Sequence, residues 1–162
     1  MEMQTQPMRN RSVDARVPHA AAWLGAAGLI PFIAGAVTLW TLPSAHAALA
    51  ADLLKGYGAI ILAFMGAVHW GLAMTRDADS GLDRWFLFSV APALIGWGAL
   101  MLSALPALVV LGFAFAMVFG LDRAAIAANL APAWYPRLRT PLTIAVIGSL
   151  AIATAALWYR VP

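Results

Sequence analysis

The chain has 162 residues, 63% of them hydrophobic and 10% charged, with a formal net charge of +3. Soluble domains carry about 25% charged residues, and one of this size could not hide so much apolar surface, so composition points to an integral membrane protein and not a soluble globular one. Ten Lys and Arg against seven Asp and Glu leave too thin a basic excess for nucleic-acid binding, and the absence of Cys removes disulfides, thiolate metal sites and cysteine nucleophiles.

Residues 1–19 are polar, Met- and Gln-bearing, and expected to be disordered. Residues 20–162 are expected to form the membrane domain. A helix crossing the roughly 30 Å hydrocarbon core needs about 20 mostly apolar residues. Five stretches meet that requirement, at about 21–40, 56–75, 85–102, 106–121 and 141–159. The first carries no charge. The second follows Asp52 and Lys55 and stops at Arg76, and the third starts after Arg84. The fourth is short and ends at Asp122 and Arg123; the fifth opens on Pro141 and ends before Arg160. These runs are continuous and lack the period-2 alternation of a β-barrel. The expected fold is all-α, a polytopic bundle of five transmembrane helices. Ala45-His46-Ala47 resembles a signal-peptidase site. The apolar run before it exceeds the roughly 7–15 residues of a secretory signal, so a retained anchor is expected.

Most prolines fall outside the spans or at their first residue. Pro31 and Pro92 lie inside, where each removes a helical hydrogen bond and should kink its helix. The carbonyls so freed belong to Ala27 and Phe88. Orientation follows from the Lys/Arg balance of the loops. Arg9, Arg11, Arg16, Arg76, Arg84, Arg123, Arg137 and Arg139 fall on one side, and Lys55 and Arg160 on the other. The amino terminus is therefore expected inside and the carboxyl terminus outside. Small residues repeat every fourth position at Ala63, Ala67 and Gly71, at Gly112, Ala116 and Gly120, and at Ala145, Ser149 and Ala153. Such stripes let helix backbones approach closely.

His69 is the sharpest chemical candidate. It lies inside the second span, where an ionisable group is costly and faces the bundle. Two readings stay open: a structural imidazole donating to a freed carbonyl near Pro31 or Pro92, or a ligand or proton site paired with Asp122. Ser89, Asp122, Arg123 and Thr143 belong to the same membrane level and complete a candidate polar site opening inward. Trp134, Tyr135, Arg137 and Arg139 read as an interfacial anchor, with docking of a membrane-protein partner as the alternative. No GxSxG, HExxH, P-loop or dinucleotide motif is present. His19 and His46 lie too far from His69 to complete a bis-histidine haem. No cofactor, metal or catalytic residue is expected.

Several segments together resemble a known family: LGAAGLIPF at 24–32, YGAI at 57–60, FMGAVHWG at 64–71, SVAP at 89–92 and PAWY at 132–135. They are similar to the transmembrane protein 69-like small membrane proteins that share domain of unknown function 3429, over about residues 20–158. The resemblance implies a multi-pass protein of the bacterial inner membrane, with mitochondrial relatives in eukaryotes. It implies no activity and carries over no catalytic residue. The tryptophan-rich sensory or translocator family is of similar size, but its Pro-rich first loop is absent from the turn at 41–46. The function expected is that of a non-enzymatic accessory, assembly or binding protein in the lipid bilayer. The alternative is a small transporter or ligand-binding sensor using the cavity around His69.

Overall fold

The computed structural model describes residues 16–75 and 82–160. The polar segment expected at 1–19 lies outside the described residues up to position 15, as does Arg76 of the charge argument. The described residues form six α-helices and no strand: α1 (His19–Ala27), α2 (Ile30–Thr41), α3 (Ser44–Met74), α4 (Leu82–Leu100), α5 (Ala104–Ala127) and α6 (Tyr135–Arg160). Four helical stretches are long and apolar enough to cross a membrane: His19–Thr41, His46–Met74, Ala104–Ala127 and Tyr135–Arg160. The sequence suggested five. The difference is α4, whose 19 residues include Asp83 and Arg84, so that no 18-residue stretch of it is free of charge.

Pro31 interrupts the hydrogen-bond ladder of its helix, while Gly28 and Leu29 before it keep right-handed helical backbone angles. α1 ends at Ala27, and α2 begins at Ile30 with Pro31 in its first turn, where a missing N–H is harmless. The break exposes the carbonyl of Gly28, and the hydroxyl of Tyr57 on α3 donates to it at 3.0 Å. Phe32, one residue past the proline, then packs edge-on against Tyr57 and Phe115, with ring centroids 5.2 and 5.9 Å away. Phe32, Leu39, Leu62, Leu108, Leu111 and Leu150 form the centre of the core, shared by α2, α3, α5 and α6.

α3 and α4 run antiparallel in continuous register. Lys55 donates to the Leu102 carbonyl just past the end of α4, at 3.3 Å. Further along, Gly96 faces the Ala59 carbonyl, and Gly66 lies against the Ser89 carbonyl and the ring of Pro92. Trp70 meets Phe86 edge-on at 4.9 Å. Two glycines on opposite helices thus bring the backbones together, and Pro92, kept inside α4, is fully buried at that crossing. The stripes ending at Gly71 and running from Gly112 to Gly120 do not serve this purpose: a Cβ on any of those three glycines would meet nothing within 4 Å. In an Ala-rich chain small residues recur at four-residue spacing on any face. The large apolar side chains decide which face turns inward.

Candidate functional site

At the other end of the bundle from Lys55, four polar side chains converge from three helices. Their centre is Asp122, fully buried. The fourth span was expected to stop at Leu121, leaving Asp122 at its mouth. Instead α5 continues to Ala127. Leu111, Phe115, Val118, Asp122 and Ala125 recur every three or four residues and occupy one buried face. The carboxylate is therefore held inside by the same helical period that buries the leucines before it.

A buried carboxylate needs donors to replace its lost water. α6 supplies two. The Tyr135 hydroxyl donates to Oδ1 at 2.7 Å, and Arg139 Nε donates to Oδ2 at 2.8 Å. Both belong to a helix that starts at Tyr135, six residues before the expected Pro141, with Pro136 tolerated at its second position. Tyr135, Arg139 and Thr143 are spaced four apart, so they share the buried face of α6 with Val146 and Leu150. The chain reaches this position through a left-handed turn. Asn129 has φ 54°, and the bonds from Leu130 N–H to Ala125 O and from Asn129 N–H to Ile126 O close a Schellman motif at the end of α5.

His69 approaches Asp122 from α3. Its Nε2 lies 3.3 Å from Oδ1, while its Nδ1 is 3.0 Å from the Met65 carbonyl one turn back on its own helix. A carbonyl only accepts, so Nδ1 carries a proton and donates to it. Nε2 meets Asp122 only at ion-pair range and makes no well-aligned hydrogen bond among the described residues. The expectation that His69 would serve a carbonyl freed by Pro31 or Pro92 is corrected: its polar contacts are Met65 and Asp122, and Tyr57 serves the break in the first span.

The remaining candidates divide. Thr143 is buried one turn beyond Arg139, its hydroxyl without a hydrogen-bond partner among the described residues. Ser89 is also buried, but donates to Phe86 O on its own helix at 2.6 Å and stays apart from the cluster. Arg123, one residue on and about 100° around α5 from Asp122, is exposed. Of the segment read as an interfacial anchor, Arg137 is exposed and Trp134 half-buried against Tyr135, at 6.2 Å between ring centroids. Tyr135 and Arg139 instead belong to the buried cluster. Among the described residues, no three His, Cys, Asp or Glu side chains are grouped to hold a metal ion.

Beside the cluster lies a cleft of about 410 Å³, bounded by α1, the turn at Gly28, α2, α3, α5 and α6. Small-molecule sites span roughly 300–1,000 Å³ and are mostly apolar, with a few placed polar groups. This cleft has that character. Leu24, Phe32, Ile61, Phe64 and Phe115 line its apolar length, and Tyr135, Arg139 and Thr143 bring it against the Asp122 cluster.

Residues 17–155 match the family model described as protein of unknown function DUF3429. The chain belongs to this family. Transmembrane protein 69 of Xenopus tropicalis is 34% identical over 138 residues, 82% of this chain and 53% of that protein. Transmembrane protein 69 of Mus musculus is 32% identical over 87 residues, 53% of this chain and 35% of that protein. The chain thus spans about half the length, or less, of the curated relatives it matches. No solved structure matches it. With its apolar helices and transmembrane relatives, this DUF3429 member is a membrane protein.

Proposed function

We propose that the protein is a non-enzymatic, five-span protein of the bacterial inner membrane that binds a membrane-soluble ligand in the cleft beside Asp122. The fifth span in this reading is α4. Its antiparallel contacts with α3 run from Lys55 and Leu102 to Trp70 and Phe86, about 22 Å along α3 at 1.5 Å per residue. A helix paired so far with a membrane-crossing neighbour crosses beside it, and Asp83 and Arg84 then sit at its inner edge. The Lys/Arg imbalance puts the amino terminus and the Asp122 end inside.

One observation carries the binding reading: an apolar cleft ends on a buried ionic cluster with an unpartnered hydroxyl. Polar groups are expensive inside a bundle and mark sites by default. An accessory factor that acts through protein partners would need no such cavity. Purification in mild detergent, with mass spectrometry of proteins and small molecules together, separates the two. Binding predicts a stoichiometric small molecule. A defined protein partner with no small molecule would replace this reading with the accessory one.

A further inference from the structure

We propose that the cleft takes an uncharged amphiphile with an apolar tail and a carbonyl oxygen at its polar end, an assignment that rests on the cleft being a ligand site. The tail follows from the walls: Leu24, Ile61, Phe64 and Phe115 offer no hydrogen bond, so a polar tail would be stranded. The head follows from what the polar end has left to give. Tyr135 has committed its proton to Asp122. Arg139 presents donors and no acceptor, with Nε given to Asp122. Thr143 Oγ1 is buried without a partner. The remaining N–H groups of Arg139 can only donate and outnumber the single Thr143 hydroxyl, which can donate or accept, so the polar end asks chiefly for an acceptor.

Charge narrows the class. The guanidinium of Arg139 already faces a carboxylate 2.8 Å away. An anionic head brought to Arg139 would meet the charge of Asp122 across a low-dielectric interior, and a cationic head would meet Arg139 itself. An alcohol head would bring a proton of its own, for which the cleft offers only the Thr143 and Tyr135 hydroxyl oxygens, both Asp122 oxygens being already engaged. His69 is not among the residues lining the cleft. A carbonyl oxygen has two lone pairs and no proton, so it can accept from Arg139 and Thr143 together.

The test uses the full chain in nanodiscs of ether-linked phosphatidylcholine, whose bilayer holds no ester carbonyl to compete. Tridecan-2-one is the probe, with tridecane and tridecanoate as comparators. Saturable ketone binding is expected, with the carbonyl stretch moved to lower wavenumber. Tridecane and tridecanoate should bind about tenfold more weakly or worse, the scale of one well-made hydrogen bond. Thr143→Val should weaken ketone binding about three- to tenfold, and Thr143→Ser should restore it. Weaker ketone binding in ester-linked discs would support carbonyl recognition and name bulk lipid as one source of the head. Equal or tighter binding of tridecane or tridecanoate, or an unchanged ketone affinity in Thr143→Val, overturns the carbonyl assignment while leaving the cleft. Failure of all three probes to saturate, or ketone binding indifferent to Ala21→Trp at the α1 wall, overturns the cleft itself.

Discussion

At the scale of single residues, Asp122 dominates because its position leaves no choice of partner. The carboxylate has left water and depends on Tyr135 and Arg139 for compensation. Removing one partner of a buried pair costs about 3–5 kcal/mol, because the other charge remains buried. Asp122→Ala should therefore lower stability by about that amount, read as thermal or denaturant unfolding in detergent. Asp122→Ala combined with Arg139→Met should cost less than the two single changes added together. Tyr135→Phe, which removes one hydrogen bond to a charged group, should cost about 2 kcal/mol. Strict additivity of the Asp122 and Arg139 changes would mean that they do not act as a pair. His69, Asp122 and Thr143 were legible in the sequence, since polar residues beside or inside apolar runs stand out. Arg139 and Tyr135 were less so. They sit among Trp134 and Arg137, where aromatic and basic residues suggest a membrane interface. The missed signal was their spacing: Tyr135, Arg139 and Thr143 continue the four-residue period of the buried Val146 and Leu150.

At the scale of elements, the apolar runs were legible and the helix ends were not. A charged residue ends a hydrophobic run without ending a helix. α3 starts at Ser44 and carries Asp52 and Lys55 within it, where the two pair at 3.0 Å, and α5 carries Asp122. The close helix contact was also hidden, because Gly66 looks no different in sequence from Gly71. The structure separates them. A Cβ at Gly66 would press into the Ser89 carbonyl, which is backbone and cannot step aside, whereas one at Gly71 would meet open space. Gly66→Ala should destabilise the fold by about 1–3 kcal/mol as α4 is forced off α3. Gly71→Ala should be neutral or stabilise by up to about 1 kcal/mol, since alanine is the better helix former. Melting temperatures of the two variants side by side check this; the reverse order would contradict the α3–α4 crossing. The Schellman turn gives a second comparison. Asn129→Gly should be tolerated, and Asn129→Val should cost about 1–2 kcal/mol, because a β-branched residue resists φ 54°.

At the scale of the whole molecule, each end of the bundle is closed by different chemistry. At one end, long side chains reach backbone carbonyls: Arg160 donates to Leu42 O at 2.8 Å and Lys55 to Leu102 O, both just past helix ends, and the Trp40 indole donates to Ile152 O within α6 at 3.1 Å. At the other, the Asp122 cluster ties α3, α5 and α6 together, and the break at Gly28 sets α1 apart as a wall of the cleft. The proposed crossing of α4 predicts that the segment between α3 and α4 and the carboxyl terminus face opposite sides of the membrane. Reporter fusions in that segment and after Pro162 should read oppositely, and matching readings would remove the five-span topology. The cleft itself is tested most directly by replacing Phe64, which lines it, with photoreactive p-benzoylphenylalanine and irradiating cells. A second chain bears the same group at Phe88, which like Phe64 is exposed but does not line the cleft. A ligand in the cleft predicts a discrete small-molecule adduct of one mass at position 64 and bulk phospholipid at position 88. Bulk phospholipid at both positions would contradict it.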